Sequence, residues 1–114
     1  MEKRTNKYKI KLELLSTVKQ DDTVYEPIEL EFENHDNIFS IIQRLQSKKL
    51  FENKNQTAEF AIGLKMFSEV MLKNRTHPLF SEFSPAFREF MKKLKSSKRY
   101  MLILLLVHEI RSSK

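Results

Sequence analysis

Cysteine and tryptophan are absent from the 114-residue chain, and glycine occurs once, at Gly63. Without cysteine there is no disulfide framework, no thiolate metal site and no cysteine nucleophile, and a reducing compartment is the natural home of such a chain. A single glycine excludes the glycine-rich loops that let backbone amides approach a dinucleotide or a phosphate. No G-x-S-x-G elbow occurs to expose a serine nucleophile. Long apolar runs are missing too. The longest, Tyr100 to Val107, has eight residues, against the roughly 20 that a membrane-crossing helix needs. The first residues, Met1 to Lys7, are charged and lead into alternating residues rather than an apolar core, so no secretory leader is expected and the expected location is cytoplasmic. The sequons Asn55-Gln56-Thr57 and Asn74-Arg75-Thr76 are then chance matches.

What remains is enough for one folded domain: 40% of the residues are hydrophobic and nine are phenylalanine. From Tyr8 the chain alternates, with Tyr8, Ile10, Leu12 and Leu14 on one face and Lys7, Lys9, Lys11 and Glu13 on the other, which predicts a half-buried strand. After a polar turn at Lys19 to Asp22, Ile28, Leu30 and Phe32 alternate with Glu29, Glu31 and Glu33. The two strands are expected to form an antiparallel hairpin, because a mostly basic row would face an acidic one. Pro27 lacks a donor and is expected on a sheet edge or at a bulge.

Helical spacing follows. Asn34 or Asp36 is expected to cap a helix carrying Ile38, Ile41, Ile42 and Leu45, with Lys48-Lys49 at its negative end. A longer helix carries Ala58, Ala61, Ile62, Phe67, Val70 and Met71 and ends near Asn74; Gly63 within it predicts close approach of another element. Pro78 and Pro85 each suit a first helical turn, and with Ser84 as cap a third substantial helix runs from about Pro85 to Lys95, bearing Phe87, Phe90, Met91 and Leu94. Phe67, Met71, Phe87, Phe90 and Met91 read most simply as core, a methionine-rich docking groove being the lesser alternative.

Four stretches together, Glu33 to Phe39, Gly63 to Leu72, His77 to Phe80 and Phe90 to Leu94, resemble a bacterial domain-of-unknown-function family, number 3861. The resemblance covers about Tyr8 to Lys95. It implies a short α+β protein with the hairpin first and helices after it, and it implies no activity, cofactor or site residue.

The expected fold is therefore α+β, an N-terminal antiparallel hairpin packed against about three helices. Residues 1–95 are expected to form a single domain and 96–114 an extension whose apolar stretch, 100–107, is an extra core strand or a helix buried against a second subunit.

No chemistry gathers on this frame. His35, His77 and His108 are more than 30 positions apart, and His108-Glu109 lacks the second histidine of a zinc motif because Ser112 stands there. His35 and His77 read as helix-start or surface residues, and the row Glu29, Glu31, Glu33 as a solvated strand face rather than acid and base groups. No cofactor or metal is expected. A site assembled from scattered groups such as Glu69, Arg75 and His77 ranks last among the functional readings.

Charge is the clearest functional signal. Residues 1 to 20 carry a net +4, residues 21 to 36 carry seven acidic and no basic groups, and residues 37 to 99 carry a net +8. A basic patch at Arg88, Lys92, Lys93, Lys95, Lys98 and Arg99 results, most simply a solvated helix face, and such segregation can steer an oppositely charged partner. The leading expectation is a non-enzymatic interaction or structural module that binds an unknown protein partner or a second copy of itself. A weak nucleic-acid binder using the basic patch is second.

Overall fold

A computed structural model describes residues 4–19 and 23–96. The order is β1 (Asn6–Leu12), β2 (Ile28–Asn34), α1 (Ile38–Ser47), α2 (Lys54–Lys73), α3 (Pro78–Ser81) and α4 (Ser84–Lys95), an α+β arrangement with the antiparallel hairpin first and four helices after it. The chain divides into two compact units, one through Asn37 and one from Ile38 onward. The apolar stretch 100–107 lies outside the described residues.

In the first unit the alternation sets the register. Lys7, Lys9 and Lys11 stand opposite Glu33, Glu31 and Glu29, while Tyr8, Ile10 and Leu12 stand opposite Phe32, Leu30 and Ile28. A shift by one residue would place the lysines against the apolar residues of β2 along the whole ladder, so both rows hold the same pairing. Lys9 reaches diagonally to Glu29 at 3.0 Å, and the rings of Tyr8 and Phe32 stack 5.4 Å apart. Beyond Leu12 the pattern continues but the ladder does not: Leu14 lies past the end of β1, and Pro27 immediately precedes β2 rather than sitting within it. Because Pro27 has no N–H, pairing can begin only after it.

The exit from β2 is fixed by three bonds. The Asn34 side-chain oxygen accepts the Asp36 amide at 2.9 Å, and the carbonyl of Asp36 accepts from Tyr8 Oη at 2.8 Å and from Asn6 Nδ2 at 3.2 Å. Asn34 thus closes a turn onto Asp36, and α1 begins at Ile38, so the Asn34 oxygen does not serve as the cap of that helix. A short polar side chain that bonds the backbone two residues on competes with helix capping in just this way.

In the second unit α1 packs on α2. Ile38 and Leu45 of α1 are buried, with Ile41 and Ile42 half-buried between them. The helix ends in a Schellman-type turn: the Leu50 amide donates to the Leu45 carbonyl at 3.2 Å, and Lys49 adopts the left-handed φ of 53°. Asn53 caps α2 by accepting the Gln56 amide at 3.0 Å. One turn in, Thr57 is fully buried and its hydroxyl donates to the Asn53 carbonyl at 3.1 Å. Ala61 and Met71 continue the buried stripe, and the helix stops at Lys73 with Asn74 as cap.

Seven of the nine phenylalanines form one chain of ring contacts. Phe51 meets Phe60, Phe60 meets Phe90, and Phe87 meets both Phe90 and Phe67, which also touches Phe80 and Phe83; all centroids are within 6.2 Å. This chain ties α2 to α3 and α4 at its ends and middle. Phe87 is its buried member, whereas Phe67 and Phe90 each keep 42% of their surface in water. Val70, expected on the buried face, is exposed as well.

Two local expectations are corrected. Ser84 is the first residue of α4 and Phe83 its cap, without a side-chain bond. Glu82 and Phe83 both hold right-handed helical dihedrals between α3 and α4, so the chain never opens into the extended conformation that a serine cap adopts. Gly63 has no close neighbour: a Cβ there would meet nothing within 4 Å. Its absent side chain therefore lowers helix stability with no packing gain, and Gly63→Ala is expected to stabilise the protein by about 1 kcal/mol, read as a raised midpoint in thermal denaturation.

Candidate functional site

Two surfaces carry enough unusual chemistry to be functional, one in each unit. The first is an apolar groove at the far end of the hairpin. Where the ladder stops at Leu12, the segments Glu13 to Thr17 and Tyr25 to Glu26 run on without cross-strand bonds. Together with Leu12 and Ile28 they line an open cavity of about 690 Å³. Its walls are chiefly Leu12, Leu14, Leu15, Tyr25 and Ile28, and Leu15 is 87% exposed. Val18 and Val24, on either side of the groove in sequence, are exposed too. Apolar side chains scattered over a surface need no explanation, but a contiguous set around a concavity marks a docking face. Among the described residues of this unit Asn34 is the only fully buried one, so the hairpin encloses no apolar core of its own.

Sequence reasoning missed this groove. The alternation extends the strand to Leu14, on its buried face, and Leu15 falls on the polar face of the same alternation. The available signal was the break itself: Leu14-Leu15 puts apolar residues on both faces, which a half-buried strand does not do.

The second surface is the basic face of α4. Arg88, Lys92, Lys93 and Lys95 are all exposed, while Lys98 and Arg99 lie outside the described residues. Four- and three-residue steps place Arg88, Lys92 and Lys95 along one stripe of the helix, with Lys93 turned off it. Glu89 lies 3.5 Å from the Lys92 ammonium and partly offsets it. Phe87, Met91 and Leu94 occupy the opposite side, which makes α4 amphipathic and leaves the cations facing water. The three lysines also sit in the last turn, where they suit the negative helix end without any ligand.

Of the scattered set Glu69, Arg75 and His77, the structure fixes the role of one ring nitrogen. His77 starts α3, its Nδ1 accepting the Leu79 amide at 3.1 Å, and its ring lies against Phe80. That nitrogen is therefore committed to the backbone. His35 is exposed in the bend after β2, and His108 is outside the described residues. Among the described residues no three histidine, aspartate or glutamate side chains gather as a metal site would require, and no helix is long and apolar enough to cross a membrane.

The comparisons agree with this fold and are silent on chemistry. No curated protein matches the chain. A protein of unknown function from Pectobacterium atrosepticum, known from a crystal structure, is 36% identical to it, with a TM-score of 0.70 over 82% of this chain and 99% of that one. Residues 6–96, from the first residue of β1 to Ser96 at the C-terminal end of α4, match the domain-of-unknown-function family DUF3861, and the chain belongs to that family.

Proposed function

We propose that the protein is a non-enzymatic interaction module of the bacterial cytoplasm, which docks a partner protein through the open end of its N-terminal hairpin. The observation that carries this reading is the exposed groove around Leu12, Leu15 and Tyr25 in a unit with no buried apolar side chain among its described residues. Isolated two-stranded hairpins are marginal in water. A partner that covers the groove removes its apolar surface from solvent. The lack of cysteine fits a reducing compartment.

The test is a photo-crosslinking amino acid at Leu15, with the same group at the also exposed Leu79 as control, expressed in the bacterium that encodes the protein. A discrete adduct from position 15, lost when Leu12→Glu is added and missing from position 79, is expected. Identical adduct patterns from both positions, or none from position 15, would remove the groove from consideration.

The stripe Arg88, Lys92 and Lys95 supports a second reading, weak and sequence-independent binding of nucleic acid. Here the expected behaviour is binding that weakens steeply with added salt and loses slope when Lys92 and Lys95 become glutamine. No binding to mixed single-stranded RNA or duplex DNA at about 50 mM salt, where phosphate contacts are strong, rejects it.

A further inference from the structure

A two-stranded sheet has two outer edges, and those of this hairpin are chemically different. In an antiparallel ladder alternate residues of a strand turn both backbone groups to one neighbour, and the remaining residues turn theirs to the other side. Among the described residues no strand lies beyond β2, and Ile28 to Glu31 and Glu33 are exposed. The outward groups of β2 are therefore open to pairing.

The charged rows distinguish the edges further. On β1, Lys9 and Lys11 are held by Glu29 at 3.0 Å and by Glu13 at 3.3 Å. On β2, Glu31 and Glu33 are exposed, and among the described residues neither has a cation within ion-pair distance, although Lys9 and Lys7 stand opposite them in register. The edge strand thus presents open backbone groups, two exposed carboxylates beyond ion-pair distance of any described cation on one face, and the exposed Ile28 and Leu30 on the other.

We propose that the outer edge of β2 receives, as a third antiparallel strand, an extended segment of another protein in which lysine or arginine alternates with apolar residues. The proposal rests on the docking role of the hairpin and specifies the chemistry of what docks. The required pattern is already displayed on the inner side of β2, where Lys7-Tyr8-Lys9-Ile10-Lys11-Leu12 pairs with it residue for residue. A third strand of the same pattern would set its cations against Glu29, Glu31 and Glu33 and its apolar residues beside Ile28, Leu30 and Phe32.

A second copy of the chain is a poor occupant. Two β2 edges meeting symmetrically would put glutamate against glutamate, and two β1 edges lysine against lysine. Only a head-to-tail join satisfies the charges, and that leaves a free edge at each end and grows without closing.

The probe is a fluorescent peptide with the sequence of residues 6–12, blocked at both ends and titrated with the full-length protein by anisotropy. Three comparison peptides accompany it: one with glutamate in place of its lysines, and two N-methylated at alternate amides so that each can pair along one edge only. The basic peptide is expected to bind with an affinity that falls as salt rises, and Glu31→Gln with Glu33→Gln to weaken it roughly tenfold. One N-methylated peptide should bind and the other fail. Hydrogen exchange at the β1 amides should stay slow throughout, because the peptide adds to β2 rather than replacing β1. Equal binding of the basic and acidic peptides, indifference to N-methylation, or loss of β1 protection would each overturn the proposal. If the peptide does not bind while the Leu15 adduct persists, the edge is refuted and the groove stands. If the adduct is missing while the peptide binds, the groove is refuted instead.

Discussion

Phe87→Ala is expected to destabilise the helical unit by about 3–5 kcal/mol, the largest effect of any single truncation in the protein. Phe87 is the buried ring of the phenylalanine chain and touches Phe67 on α2 as well as Phe83 and Phe90. Removing it leaves a cavity between α2 and α4 that neither helix can close alone, since the rings on either side are themselves anchored to Phe60 and Phe80. For a domain of this size the loss corresponds to a fall in Tm of more than about 10 °C, measurable by circular dichroism at 222 nm. Leu79→Ala is the matched control, because that side chain is 71% exposed and its removal opens no cavity; its Tm should stay close to that of the parent. Equal falls for the two variants would show that the aromatic chain is not what joins α2 to α4.

The elements that sequence reasoning found are those whose signal is periodic. The alternation from Lys7 to Leu12 and from Ile28 to Glu33 predicts both strands, their antiparallel sense and their charge pairing, because only a register in phase with both rows sets apolar against apolar and lysine against glutamate. The spacing of Ile38, Ile41, Ile42 and Leu45 gave α1, and the break at Asn74 gave the end of α2. What it missed depends on distance in space. A glycine within a helix predicts close approach of another element, yet Gly63 lies where nothing is near, and its spacing in the sequence is the same in either case. The role of Asn34 turned on whether its oxygen met the Asp36 amide or a helix terminus, a choice made by the turn that Tyr8 and Asn6 help to hold.

The candidate site shows the same division. The cations of α4 were legible because a helix fixes which residues share a stripe, so the alignment of Arg88, Lys92 and Lys95 follows from their numbers. The groove was not, because it lies where periodicity stops. Glu13 to Thr17 and Tyr25 to Glu26 have no repeating pattern, and their convergence depends on the end of the ladder at Leu12 and Ile28. An irregular segment beside a regular one is where binding surfaces concentrate, and it is also where sequence carries the least geometric information.

Reversing the acidic row of β2 is expected to unpair the hairpin, and reversing the basic row of β1 as well should restore it. In the parent, three lysines face three glutamates: Lys7, Lys9 and Lys11 against Glu33, Glu31 and Glu29. With Glu29→Lys, Glu31→Lys and Glu33→Lys together, every one of those positions becomes a like-charge pair. Each favourable cross-strand pair is worth a few tenths of a kcal/mol at these exposed positions, and each like-charge pair is unfavourable by a similar amount, so the triple variant loses about 2–3 kcal/mol. The apolar rows are untouched, and the Tyr8 and Phe32 rings remain available to stack. Amide exchange at residues 7–11 should therefore become fast while the helical signal at 222 nm is retained. Adding Lys7→Glu, Lys9→Glu and Lys11→Glu returns opposite charges to all three pairs with the rows exchanged, and slow exchange should return with them. In that doubly reversed protein the outer edge of β2 is basic, so the preference for a peptide partner should invert: the acidic peptide binds and the basic one does not. A reversed hairpin that reforms yet still prefers the basic peptide would mean that the edge charges pair β1 with β2 but play no part in selecting what is added beyond them.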